Sequence, residues 1–538
     1  MVATQFAWLF EAESIQAYLH ETGRLRDAVG ASQIIDDLCG SLDAPSKAED
    51  LLTRVLAAAN VSGAQLRFSR RGGGAFIAFF ADARLRDEVR ALWAIAISRL
   101  APGLNWLDAS ADGADELAAA TLGMAALRES RALRLADPLE AGPLTQRAPR
   151  TGKPAVQNVQ QAGRSEFTDA ATGTKRRAVK GAGTVARRFS TDSTLIWPLM
   201  LSPEEDEGTN DEAFPFLVDG HELAFLHADG NGLGAVLHAL AEACKSDRAH
   251  YVEHYMRFSA AVSRATQAAA RKAAAVLIQG KDQRGRVPAR PLVLGGDDLS
   301  IIVRPDLAIR FAEVFLTAFE EHSAHELQAL DIAGSPKGLT AACGIAIVDS
   351  SYPFIQAGAM AEALCKTAKQ ATKLTALGAK SAIPASSLMF HRLTSALPKD
   401  DDELLAAESI VRPDEEWLLV GGPYVVHGGA GLPTVEQLRQ LSSCLNDSAL
   451  SRGPLRQLLA LLHDNPAMAT ASWRNWLRAA GRRPGGAVQL SALFSALAPF
   501  GIAQGADLPF GGKGSDGRRR TPLADAMLLS DLEAKREG

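Results

Sequence analysis

Short apolar runs that end in glycine turns alternate along this chain with stretches of helical periodicity. The run Leu223-Ala224-Phe225-Leu226 leads into Asp229-Gly230-Asn231-Gly232-Leu233-Gly234, which reads as a buried strand entering a turn and a helix. Pro291-Leu292-Val293-Leu294 and Leu299-Ser300-Ile301-Ile302-Val303 flank Gly295-Gly296-Asp297-Asp298, the pattern of a β-hairpin with a glycine tip. The same layout occurs earlier. A strand over 5–10 and helices after Ser14 and through Ile34, Ile35 and Leu38, stopped at Gly40, precede a hairpin over 65–80 with a Gly72-Gly73-Gly74-Ala75 tip. This predicts an internal duplication in which one half keeps carboxylates at the tip and the other has lost them.

Downstream, the periodicity predicts a helix from Pro305 to Glu321 and a strand over 339–348. A long helix from Phe354 to Lys373 follows, with Lys366 and Lys369 on one face. Beyond residue 400 the pattern is mainly helical. Thr434 and Gln437 fit a capping box, Trp473 and Trp476 are expected in the core, and the tail with Gly511-Gly512-Lys513-Gly514 and Arg518-Arg519-Arg520 is expected to be flexible.

An isolated Gly-Gly-Asp-Asp is an ordinary turn. Paired with Asp229-Gly230-Asn231-Gly232 on a neighbouring strand, it gathers Asp229, Asp297 and Asp298 at one sheet edge. Three carboxylates there repel one another unless cations sit among them. Magnesium, or manganese, suits a few carboxylate oxygens and substrate phosphates, and two such ions serve phosphoryl transfer. In this reading Asp229, Asp297 and Asp298 are both catalytic and metal-binding. Gly230, Asn231, Gly232, Gly295 and Gly296 line the nucleotide, and Lys366 and Lys369 steady its triphosphate.

The net charge of −5 over 538 residues gives no global attraction to nucleic acid. Charge matters locally in 141–190, where Arg147, Arg150, Lys153, Arg164, Lys175, Arg176, Arg177, Lys180, Arg187 and Arg188 meet only Glu166 and Asp169 within the segment. That composition predicts a mobile basic arm able to contact RNA phosphates. The acidic run Glu204-Glu205-Asp206-Glu207 reads as a solvated loop. Cys39, Cys244, Cys343, Cys365 and Cys444 are scattered without a Cys-x-x-Cys pair, which argues against structural zinc and disulfides and suits a cytoplasmic protein. His250-Tyr251-Val252-Glu253-His254 matches an inverted zinc-peptidase motif but sits in an amphipathic pattern. His463-Asp464 lacks the further ligands a metal phosphohydrolase needs. No signal peptide or membrane-spanning run is read from the chain.

Several of these motifs together resemble the large palm-domain subunit of type III CRISPR effector complexes, the Cas ten family. The stretch Leu25-Arg26-Asp27-Ala28-Val29-Gly30-Ala31-Ser32 and the hairpin Ser69-Arg70-Arg71-Gly72-Gly73-Gly74 are similar to its first palm. Asp229-Gly230-Asn231-Gly232-Leu233-Gly234, Gly295-Gly296-Asp297-Asp298, Gly344-Ile345-Ala346-Ile347, Tyr352-Pro353, 361–369 and 387–393 are similar to its active palm. The resemblance covers 5 to 395.

It implies an α+β fold with two ferredoxin-like palm domains of the nucleotide cyclase and polymerase type. A degenerate palm would occupy 1–110, a helical and basic linker 111–217, the active palm 218–400 and a helical C-terminal domain 401–538. It also implies a cyclic oligoadenylate synthase using ATP and Mg2+ in antiviral defence, with RAMP-type CRISPR subunits and guide and target RNA as partners and no membrane. Because the first palm begins at once, no N-terminal nuclease domain is expected. Without cysteines between the palms, no zinc is expected. Two alternatives stay open: a free-standing nucleotide cyclase of the GGDEF or adenylate cyclase type, and a catalytically silent nucleic-acid-binding scaffold.

Overall fold

Glycine turns close both hairpins, and the strands around them form two sheets of matching topology. The structure, a computed structural model, describes residues 4–40, 50–132, 141–161, 164–179, 183–202, 210–217, 220–330, 332, 336–378, 383–393, 403, 409–412, 415–428, 431–446, 450–514 and 516–537. The first palm runs β1 (Gln5–Glu13), α1 (Ile15–His20), α2 (Leu25–Cys39), α3 (Leu51–Ala58), β2 (Leu66–Gly72), β3 (Ala75–Phe80), α4 (Ala83–Leu100), β4 (Asn105–Gly113) and α5 (Glu116–Ala132). Its strands are antiparallel in the order β2-β3-β1-β4. The stretch 25–32 lies inside α2, which ends at Gly40 with φ +66°, a conformation that favours glycine.

The segment between the palms corrects an expectation. It is folded, as the hairpin β5 (Gln157–Gln161) and β6 (Arg164–Thr168), then α6 (Ala170–Ala178) and α7 (Thr184–Phe189). Several of its cations find carboxylates on the first palm. Lys175 is fully buried; its Nζ donates to the Tyr18 carbonyl at 2.7 Å and to Glu21 at 3.0 Å. Arg176 pairs with Asp27 and Glu166, Lys153 with Glu21, and Arg188 with Asp36. Counting charges within the segment missed Glu21, Asp27 and Asp36, which lie far away in sequence. Arg147 also donates to the Ala141 carbonyl, while Arg177 and Arg187 stay exposed. Lys180, the run 204–207 and the side chains of Arg164, His463 and Asp464 lie outside the described residues.

The second palm repeats the plan with β7 (Glu222–Gly230), α8 (Leu233–Ala243), α9 (Tyr251–Gln279), β8 (Ala289–Gly295), β9 (Asp298–Val303), α10 (Pro305–Gln328), β10 (Ala341–Asp349), α11 (Phe354–Gly378) and β11 (Ser387–Arg392). The order β8-β9-β7-β10 mirrors that of the first sheet, and β11 adds a parallel strand beside β10. The tips share a conformation: Gly73 has φ +61° and Gly296 φ +60°. The hairpins also meet, since a Cβ on Gly295 would lie 3.2 Å from the Gly73 Cα.

One hydrophobic core spans both palms, joining Trp8, Phe10 and Ile35 of the first to Phe225, Phe354 and Ala357 of the second. Burying that apolar surface on both sides makes the two palms one folding unit.

The C-terminal region contains β12 (Ser409–Arg412), β13 (Glu415–Leu418), β14 (Tyr424–Val425), α12 (Val435–Leu445), α13 (Arg452–Asp464), α14 (Pro466–Gly481), α15 (Gly486–Leu497), β15 (Arg519–Arg520) and α16 (Leu523–Glu537). The capping box at Thr434 and Gln437 forms, and Trp473 and Trp476 stack in the core. The tail is not flexible as expected. Strand β15 pairs with β13, and Arg518 donates to Glu416 at 2.8 Å. Buried Asp525 on α16 accepts from the Gly421 and Gly422 amides and the Tyr424 hydroxyl. Among the described residues no helix is long and apolar enough to cross a membrane.

Docking of α6 on α2 depends on Gly30, where a Cβ would sit 1.9 Å from the Lys175 carbonyl oxygen. Gly30→Ala should therefore lower the melting temperature. Lys175→Ala, which removes a buried ammonium bonded to the Tyr18 carbonyl and Glu21, should cost about 1–3 kcal/mol in chemical denaturation. Native stability in both variants would contradict this docking.

Candidate functional site: a three-carboxylate edge between two palms

The pairing of Ala228 with Leu299 sets the register, and one step on brings Asp229 beside Asp298. Asp297 occupies the hairpin turn. Oxygens of Asp229, Asp297 and Asp298 all lie within 4.8 Å of one another, the one such metal-competent cluster among the described residues. The turn is held from behind by Thr266 on α9, whose hydroxyl donates to the Gly296 carbonyl at 2.6 Å. Gly230 is required by space, because a Cβ there would lie 2.7 Å from the Asp297 Oδ2. Gly232, with φ +68°, ends the turn and caps the N-terminus of α8.

Electrostatics reports the crowding. Burial, and then the Asp229 carboxylate, push the Asp297 carboxyl up to about 6. Asp298 keeps solvent access on one side, yet the dense protein around it, and then Asp297 and Asp229, raise it well above the usual carboxylate range. Lys369 on α11 offsets part of this, bonding to Asp229 and, at 2.9 Å, to the Gly230 carbonyl. Glu362 on the same helix is raised by burial and by Asp229. His227, lowered to about 4 chiefly by burial, is neutral and contacts Ser300 at 3.1 Å.

The expected residues separate into two groups. Asp229, Asp297, Asp298, Gly230 and Lys369 converge. Lys366 is exposed one turn before Lys369. Asn231 is buried and turned away; its side-chain amide donates to Thr340 and to the Ala385 carbonyl, which makes it a brace for the turn. Gly295 packs on the other palm's hairpin tip. His250 is exposed and bonded to Asp247 at 2.7 Å, while His254 faces Cys244.

Two features went unread in the sequence. Arg70, on the first palm, lies close enough to lower the pKa of both Asp297 and Asp298. The degenerate palm also keeps a related ion pair. Glu11 opposes Ala75 as Asp229 opposes Asp298, and Glu11 pairs with Arg131 as Asp229 pairs with Lys369. Arg131 and Lys369 each stand 15 residues after the first residue of their helices (131 − 116 and 369 − 354). Aligning the two hairpins and then the two long helices would have exposed this correspondence.

The sheets and the carboxylate edge together define an α+β palm domain that carries a three-carboxylate cluster. Residues 222–377 match the family model described as Cas10/Cmr2, second palm domain. Among solved structures, a Csm1-Csm4 cassette in complex with cA3 is similar at 12% identity, over 98% of this chain and 69% of that one, with a TM-score of 0.49. The Csm1-Csm4 subcomplex of a type III-A CRISPR-Csm interference complex is similar at 12% identity, over 99% of this chain and 70% of that one, with a TM-score of 0.46. Csm1 in T.onnurineus is similar at 12% identity, over 99% and 70%, with a TM-score of 0.47. At such scores these likenesses add nothing to the site beyond its geometry and the family match. No curated protein matches.

The raised carboxyls give a pH test. A carboxyl pKa raised on folding makes the folded chain take up protons, so its contribution to stability is present below the ordinary carboxylate value and lost as the pH rises through about 6. In EDTA at pH 7.5, Asp297→Asn should melt higher than the native chain. Added magnesium should raise the native melting temperature more than that of the variant. Equal melting in EDTA, or equal magnesium shifts, would contradict the electrostatic reading.

Proposed function

We propose that the second palm joins nucleoside triphosphates by 3′–5′ phosphodiester bonds, and that ATP and cyclic oligoadenylates are its substrate and products. The observation that carries the reading is the gathering of Asp229, Asp297 and Asp298 within 4.8 Å, on a palm that matches the Cas10/Cmr2 family. Adenine choice and ring closure come from the family resemblance. The same resemblance supplies RAMP-type subunits and guide and target RNA as partners, and the domain division at 110, 217 and 400.

The residues fit divalent metal: three acceptor carboxylates, desolvated and mutually repelling, next to one ammonium. Bound there, Mg2+ would lower the pKa of an attacking hydroxyl and neutralise charge on the leaving pyrophosphate. In the proposed reaction a 3′-oxygen bonds to the α-phosphorus, the bond from that phosphorus to the β-phosphate bridge breaks, pyrophosphate leaves and the hydroxyl proton passes to solvent. The chain positions these atoms. Asp229, Asp297 and Asp298 hold the charge centre. Backbone amides from Gly232 onward, at the start of α8, face the triphosphate with the positive end of the helix dipole. Lys369 exchanges its bond to Asp229 for a phosphate oxygen, and exposed Lys366 serves the outer phosphates.

Asp297→Ala with Asp298→Ala should reduce product at least about a hundredfold while leaving the melting profile cooperative. Gly230→Ala should act in the same direction by displacing Asp297. Thin-layer chromatography of labelled ATP products, run with the purified chain and with its target-bound complex, reads both effects. Undiminished product in the double variant would sink the reading, and full activity of the chain alone would favour the free-standing cyclase.

A further inference from the structure

A cavity of about 400 Å³ lies between α11 and the C-terminal loops, outside the carboxylate edge. That volume is in the range of small-molecule sites. Its walls differ in character. Leu374, Leu432, Pro433 and Phe500 supply apolar surface, while Lys513, Arg518 and Arg520 bring cationic side chains and Asp516 a carboxylate. Gly511, Gly512 and Gly514 bring bare backbone to the same wall. At Gly512 nothing lies within 4 Å of where a Cβ would stand, so a ligand can approach the main chain there.

The arginines are preset. Arg520 is held by two bonds to Asp516, at 3.0 and 2.6 Å, and Arg518 by Glu416 at 2.8 Å. Each guanidinium carries five N–H donors, so both keep donors for a further acceptor. Backbone open to approach beside preset cations selects phosphate, and the adjoining apolar wall accepts a flat ring.

We propose that this cavity binds a nucleoside phosphate, as a second nucleotide site distinct from the palm edge. Its α11 wall, Thr367 and Gln370, is on the helix that carries Lys369, so occupancy there is adjacent in structure to the palm chemistry. The inference does not rest on that chemistry. Without an acidic triad in its lining, the cavity needs no divalent metal.

The test is isothermal titration of the full chain with ATP in excess EDTA, beside arms with adenosine, inorganic pyrophosphate and a short single-stranded RNA. One saturable ATP site per chain is expected, retained when Asp297 and Asp298 are both alanine. Adenosine and pyrophosphate should each bind more weakly than ATP, and RNA should not compete. Lys513→Glu, a change at an exposed side chain, and Thr367→Trp, which fills the cavity, should each weaken ATP about tenfold or more, with melting profiles as the control on folding. Absence of ATP binding in EDTA, binding that ignores both cavity variants, binding lost only with the palm aspartates, or competition by RNA in preference to ATP would each overturn the proposal.

Discussion

Three carboxylates at one strand edge repel one another, and the surroundings of the edge act to keep them together. Thr266 ties the turn from α9, and the absent side chain of Gly230 leaves room for Asp297. Lys369 supplies one positive charge from α11, and Arg70 adds a second influence from the other palm. Burial first, and then the neighbouring carboxylates, leave Asp297 and Asp298 raised above the ordinary carboxylate range.

The two palms share this task unequally. Their sheets have the same strand order and their hairpin tips the same glycine conformation, and those tips touch. In the first palm the tip offers Gly74 and Ala75 in place of two aspartates, and Glu11 shares Arg131 with Glu13. That edge keeps a carboxylate at one of the three positions where the second palm gathers them. A pseudo-symmetric scaffold thus carries one edge with three clustered carboxylates and one counterpart that lacks two of them, and a common core joins the two palms.

Much of this was legible in the chain. Period-two runs around glycine turns marked both hairpins, and the helices after them followed from apolar spacing. The triad was readable because the turn residues and the chemistry coincide at Asp297 and Asp298. Long-range electrostatics was not. Lys175 and Arg176 looked like solvated cations because Glu21 and Asp27 stand far away in sequence, and only the docking of α6 on α2 brings them together. The tail was misread for a related reason. Glycine and arginine suggest disorder until Asp516, Glu416 and strand β13 are seen to hold them. Asn231 carried a motif position but braces the turn, which no spacing rule distinguishes from a ligand contact.

The central claim is that Asp229, Asp297 and Asp298 form a divalent-cation site on the second palm. Electron paramagnetic resonance of Mn2+, titrated into the chain with a non-hydrolysable ATP analogue, tests it most directly. The account predicts stoichiometric tight binding of Mn2+ that is displaced by Mg2+ and lost when Asp297 and Asp298 are both alanine. Free Mn2+ throughout the titration, or binding that survives the double substitution unchanged, would contradict it.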